Sequence, residues 1–317
     1  MRSQYDWFNA PEPAPAASKS VGADGGCIRS ASNGRRYHSS PATITTHAMP
    51  ITSTTQIPIS VFATADIAGT FAAGEVVMRL ERGLRERGRM TLGCPGGRSL
   101  RTTYAALAQT FAHRATDLRS LHIIMMDEYV EARGEAWVTC PADAHYSCRR
   151  FGEVEIRAVL NMRIPPQGQI PPANLHVPDP NSPQDYERLI EQLGGIDVFL
   201  LASGQSDGHV AFNPRGCALH ERTRVIALAH DTRRDNLGTF PHFRNLDEVP
   251  RHGVSVGPGT IAHHSRSAIL MLLGAGKGIA LRRIAAAAQY DPDWPASVVL
   301  ACADAQIITD DDAVAAM

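Results

Sequence analysis

From residue 57 onward, short runs of consecutive apolar residues alternate with longer stretches whose apolar positions fall three and four apart. The runs Leu121-His-Ile-Ile-Met-Met126, Ile196-Asp-Val-Phe-Leu-Leu201 and Ala268-Ile-Leu-Met-Leu-Leu273 have the length and near-continuous hydrophobicity of buried strands. Met90-Thr-Leu-Gly-Cys94, Thr223-Arg-Val-Ile-Ala-Leu228 and Ser297-Val-Val-Leu-Ala301 read as further strands. Residues 65–87 carry Ile67, Phe71, Val77, Leu80 and Leu84 at mostly helical spacing, with Gly88 placed to end that helix. Helices are also predicted over 99–113, near 183–193 and over 277–289, and a long loop is predicted from Asp127 through Pro141. This alternation predicts an α/β fold: a single three-layer, Rossmann-like domain with a mainly parallel sheet and helices on both faces.

Residues 1–50 break the pattern. They are rich in Ser, Ala, Pro and Gly, show neither period, and lack the apolar stretch of a secretory signal. A disordered low-complexity tail is expected there, with Met49 as a second candidate start, and the folded domain over 51–317. The formal net charge of −1 gives no electrostatic case for nucleic acid or an anionic membrane, and no apolar run approaches the roughly 18 residues of a membrane span. The six cysteines lack C-x-x-C or zinc-ligand spacing, as expected of reduced residues in a cytoplasmic protein.

Four groups of candidate chemistry fall just after predicted strands, where open α/β sheets present ligand-binding residues. Gly93-Cys-Pro-Gly-Gly-Arg-Ser99 leads from strand to helix, with Ser99 near the N-cap, and points backbone N–H groups toward an anion, unless it is an ordinary βα turn. It has neither dinucleotide nor nucleoside-triphosphate glycine spacing. Asp127-Glu128-Tyr129 offers a general base, or a carboxylate that caps a helix or pairs with an arginine. Asp207-Gly-His209 is a proton-transfer pair on a glycine-punctuated loop, although a lone histidine is more often structural. Lys277 neutralises a phosphate, or is a solvated lysine. The pair His263-His264 has no third ligand at useful spacing and reads as surface, so no metal is expected. Together the four groups suggest a cofactor-free site for a small phosphorylated molecule.

Met126-Asp-Glu-Tyr-Val130 and Ser206-Asp-Gly-His-Val-Ala-Phe-Asn213 resemble two signatures of the glucosamine-6-phosphate deaminase and 6-phosphogluconolactonase superfamily. Arg222-Thr-Arg224, His230-Asp-Thr-Arg233, Val254-Ser-Val-Gly-Pro-Gly-Thr-Ile261 and Trp294-Pro-Ala-Ser297 follow in the expected order, and DEYV with DGHVAFN is nearer the deaminase branch. The resemblance implies an enzyme, a deaminase-like hydrolase/isomerase, that converts an amino-hexose 6-phosphate to a ketose phosphate and ammonia. In that reading Asp127 moves a proton between C2 and C1, His209 helps open the sugar ring and Asp207 orients it. Gly97, Ser99 and Lys277 would bind the phosphate, and no cofactor is implied.

The partner implied is a small sugar phosphate, with neither nucleic acid nor membrane; the superfamily includes monomers and hexamers, so a homo-oligomer is compatible with it. The chain also departs from the deaminase pattern. Pro214 stands where a glutamate helps to set the histidine, and proline can neither accept its proton nor tune it. Gly238 stands where an arginine grips the phosphate; Arg244, Arg98 and Arg101 are the substitutes on offer. The loop 131–144 and the Gly-Arg-Ser of the phosphate turn differ, and Cys217 and Ile226 replace the Ser and Lys of allosterically regulated deaminases. A sugar-phosphate lactonase and a non-catalytic sugar-phosphate sensor are the alternatives.

Overall fold

A computed structural model describes residues 54–240 and 242–317. The tail expected over 1–50, with Met49, lies outside the described residues. In chain order come β1 (Ile59–Phe62), α1 (Ala65–Arg87), β2 (Met90–Cys94), α2 (Arg101–His113), β3 (Leu121–Met125), β4 (Asp127–Arg133), β5 (Ala136–Thr139), α3 (Cys148–Phe151), α4 (Ala158–Asn161) and β6 (Leu175–His176). Then follow α5 (Pro183–Gln192), β7 (Val198–Ala202), β8 (Arg224–Ala227), α6 (His230–Thr239), β9 (His252–Ser255), α7 (Pro258–His264), β10 (Ala268–Leu272), α8 (Gly278–Ala286), β11 (Ala305–Asp310) and α9 (Asp311–Ala315).

Seven strands form a parallel sheet in the order β1-β11-β10-β7-β2-β3-β6. Alternate side chains leave opposite faces of a strand. Val198 and Leu200 therefore join one core with Leu80 of α1 and Leu107 of α2, while Phe199 and Leu201 join another with Ile190 of α5 and Ile284 of α8. Helices thus cover both faces, as the continuous apolar runs require. The Thr64 hydroxyl caps α1 by accepting from the Ile67 N–H at 3.3 Å, and Gly88, with φ 71°, ends it through an N–H bond to the Leu84 carbonyl.

The order of strands dictates where a ligand can sit. β2, β3 and β6 step outward one way, whereas β7, β10 and β11 step the other, so the direction of winding reverses between β2 and β7. The loops leaving these two neighbours diverge and open a crevice at the carboxyl edge of the sheet.

Three expectations need correction. Ser297–Ala301 is not a strand but part of a 3-10 helix, Pro295–Ala301, and the last strand is β11. A short apolar run fits a buried helical segment as well as a strand, and Pro295 at its start favours the helix. The loop expected after Asp127 is instead the hairpin β4–β5, closed through Gly134 with φ 62°. Third, the strand expected over 223–228 forms as β8 but lies outside the parallel sheet. It belongs to a second, antiparallel sheet ordered β5-β4-β9-β8.

Candidate active site

The crevice at the β2/β7 reversal holds a cavity of about 390 Å³. Asp127, His209, Gly97, Ser99 and Lys277 all line it. Five groups from four separate stretches of sequence therefore converge on one space large enough for a small ligand.

Asp127 reaches it because only Met126 separates β3 from β4: the chain leaves the parallel sheet and enters the antiparallel one at this residue. The two acids of the Asp-Glu-Tyr segment have different tasks. Glu128 is buried and caps a helix, as one reading of the sequence anticipated. Its carboxylate accepts from the backbone N–H groups of Cys148 and Arg149 at 2.9 and 2.8 Å and from the Ser147 hydroxyl at 2.9 Å. Asp127 is 5% exposed, and among the described residues its one side-chain hydrogen bond comes from the Cys148 thiol, 3.1 Å from Oδ1. Burial raises its pKa to about 7; the Cys148 bond and nearby His209 oppose the rise, and Glu128 adds to it. A carboxyl that exchanges its proton near neutrality is suited to general acid–base work.

His209 is set by Asp207. The imidazole Nδ1 donates to Asp207 Oδ1 at 2.7 Å, which leaves Nε2 with no protein hydrogen bond among the described residues. The other oxygen of Asp207 accepts from the Thr232 hydroxyl of α6 at 2.8 Å. Burial pushes Asp207 up, but the bonds from His209 and Thr232 outweigh it and hold the carboxyl well below the usual range. Pro214 does not line the cavity. The relay is therefore built on Asp207 and Thr232, without position 214. Gly204 makes room for it: a Cβ there would collide with the imidazole and with Asp207.

The cavity also carries cationic side chains. Gly97, with φ 99°, turns the chain from β2 into a short 3-10 segment, Arg98–Leu100, and Ser99 lies within that segment rather than at the cap. Lys277 Nζ donates to the Ser203 carbonyl at 2.6 Å; burial lowers its pKa, and the carboxylates of Asp235 and Asp207 oppose that. Arg244 is not brought here. Its side chain is 86% exposed and ion-paired to Glu248 at 2.7 Å, and it does not line the cavity. Arg101 also points elsewhere, pairing with Glu155 at 3.4 Å. Arg98 does line the cavity, as do Arg234 and Asp235 of α6.

Cys148, Thr232, Gly204 and Arg234 escaped the sequence reading. Only Thr232 carried a signal, inside the His230-Asp-Thr-Arg233 segment. Among the described residues one group, Asp207, His209 and Asp235, has potential metal-ligand atoms within 4.8 Å of one another. The three side chains also bond to protein groups: His209 Nδ1 to Asp207, and Asp235 from the Gln205 N–H and the Ser206 hydroxyl, both at 3.2 Å. His264, expected at the surface, instead packs on Glu187 with an Nε2 to Oε2 distance of 3.1 Å.

Residues 63–309 match the family model described as glucosamine-6-phosphate isomerases/6-phosphogluconolactonase. A glucosamine-6-phosphate deaminase of Bifidobacterium longum (strain DJO10A) is 32% identical over 256 residues, 76% of this chain and 87% of that protein. One of Rhodococcus opacus (strain B4) is 32% identical over 231 residues, 71% of this chain and 81% of that protein. Among solved structures, a monomeric glucosamine-6-phosphate deaminase superposes with a TM-score of 0.66 at 22% identity, over 82% of this chain and 100% of that one. The 6-phosphogluconolactonase from Trypanosoma cruzi gives 0.58 at 18% identity, over 83% and 98%. At these identities the two structures speak for the fold alone.

Proposed function

The chain belongs to the glucosamine-6-phosphate isomerase/6-phosphogluconolactonase family, and we propose that it is an amino-sugar-phosphate isomerase/deaminase. Its substrate in this reading is an amino-hexose 6-phosphate such as glucosamine 6-phosphate. The catalytic unit is residues 51–317. The observation that carries the reading is Asp127: a buried carboxyl with a pKa of about 7, facing the same cavity as an aspartate-held histidine and the cationic side chains of Arg98, Arg234 and Lys277.

His209, its Nδ1 proton committed to Asp207, uses Nε2 to move the proton that opens the sugar ring. Asp127 takes the C2 proton of the open-chain aldehyde and returns it at C1. The amine-bearing carbon is then an imine, which water hydrolyses to the ketose phosphate, releasing ammonia. Gly97, Ser99 and Lys277 hold the phosphate and fix C2 against Asp127, so that part of the barrier is removed by orientation. The deaminase names of the sequence relatives support this reading over lactone hydrolysis.

The test is turnover of glucosamine 6-phosphate, followed as ammonia and ketose phosphate, beside hydrolysis of 6-phosphogluconolactone. Asp127→Asn should lower kcat by about 10²–10⁴-fold, the usual contribution of a positioned general base. Lactone hydrolysis that needs His209 but not Asp127, with no ammonia released, would replace this reading with the lactonase one.

A further inference from the structure

We propose that Arg98, anchored on the backbone carbonyl of Gly238, supplies the guanidinium that binds the substrate phosphate. This rests on the sugar-phosphate reading above and specifies its anion-binding end. Arg98 leaves the β2–α2 turn, and its Nη2 donates to the carbonyl of Gly238, at the end of α6 and 140 positions further along the chain. Both residues line the cavity with Lys277, Ser99 and Gly97.

Three observations give that contact a function. First, Arg98 has no carboxylate within ion-pair reach among the described residues, whereas Arg101, Arg244 and Arg157 are each paired with a glutamate. A guanidinium left without a counter-charge at a cavity wall is ready for an anion, and its fork matches phosphate oxygens. Second, neither backbone nor packing demands glycine at 238. Its φ is not positive, and a Cβ there would meet nothing within 4 Å. The volume beside its Cα is open, and Arg98 meets residue 238 only through its backbone carbonyl. Third, the bond to the Gly238 carbonyl uses one of five guanidinium donors and holds the group across the cavity, with the other N–H groups still to be satisfied. Arg234, one turn before Gly238, also lines the cavity and has no ion-pair or hydrogen-bond partner among the described residues; it adds positive charge without that anchor. Asp235 beside it also lines the cavity, and its carboxylate accepts from Gln205 and Ser206.

Arg98 therefore determines specificity for a phosphorylated over an unphosphorylated amino sugar. Calorimetry with inorganic phosphate and KM for glucosamine 6-phosphate test this in Arg98→Ala, Arg234→Ala and Arg98→Ala/Gly238→Arg. Losing charge-assisted bonds should weaken phosphate binding and raise KM by about 10- to 100-fold in Arg98→Ala, with a smaller change in kcat. An arginine introduced at 238 starts in open space and should recover most of the loss, while Arg234→Ala should cost less than Arg98→Ala. Wild-type phosphate affinity in Arg98→Ala overturns the proposal, as does a double variant no tighter than Arg98→Ala. Arg98→Gln, which keeps a donor for the Gly238 carbonyl, gives the same readout should Arg98→Ala fail to fold. Calorimetry needs no turnover. An Arg98-dependent phosphate site in a chain that releases no ammonia would refute the proposed reaction and leave this inference standing.

Discussion

Replacing Asp127 with asparagine should make the protein more stable at pH 8 while removing its activity. Ionising this carboxyl in the folded chain is costly because it is 5% exposed and its one side-chain hydrogen-bond donor among the described residues is a thiol. Its pKa rises from the ordinary aspartate value of 3.8 to about 7, which corresponds to about 4 kcal/mol against the folded state once the group is fully ionised. The sign follows from linkage. Between those two values the folded chain holds a proton that the unfolded chain has released, so stability falls as pH rises through that window and levels off above about 7. Asparagine removes the charge yet keeps an oxygen for the Cys148 thiol. Urea denaturation of wild type and Asp127→Asn at pH 5 and pH 8 measures the effect. Asp207 and Glu187, both held below the usual carboxylate range, are ionised in both proteins at both values and cancel in the comparison. The variant should gain on wild type by about 2–4 kcal/mol between pH 5 and pH 8. An equal difference at the two pH values would refute the buried, neutral-range carboxyl and the catalytic base assigned to it.

Two further outcomes test the surroundings. The Cys148 thiol bond lowers the Asp127 pKa, so Cys148→Ala should move the ascending limb of kcat/KM to higher pH by about 0.5–1, and Cys148→Ser should return it; an unmoved limb would show that the thiol does not act on Asp127. Glu187 accepts from the Thr223 N–H at 2.9 Å and from the Thr223 and Thr260 hydroxyls, and these bonds with His264 outweigh burial to lower its pKa from 4.5 to about 2. Glu187→Ala should therefore cost about 3 kcal/mol in urea denaturation at pH 7, a difference that shrinks as pH falls from 4.5 toward 2; a cost independent of pH would place the role of Glu187 in packing alone.

Much of this protein was legible in residue order. Continuous apolar runs marked β3, β7 and β10, because a strand covered on both faces has no polar side to show. Gly88 marked the end of α1, since a left-handed cap favours glycine. Asp127, His209, Ser99 and Lys277 were found from their places after strands, and all of them line the cavity. Less was legible where a short apolar run suited two conformations, as at 297–301, or where a turn could fall anywhere in a polar stretch, as in the β4–β5 hairpin.

Sequence by itself determined β2, β3, β7 and β10 of the sheet, its main helices and the polar groups delivered to its carboxyl edge, because each depends on local periodicity and on the residue that follows a strand; β6 and β11 were not read from it. Tertiary structure alone decided which of those groups meet. Arg98 lies beside Gly238, Thr232 behind Asp207 and Cys148 on Asp127. Arg244, which residue order made a candidate for the phosphate, is turned to Glu248 at the surface. The reason is physical: the crevice arises where strand order reverses between β2 and β7, and that order is set by packing between segments far apart in the chain.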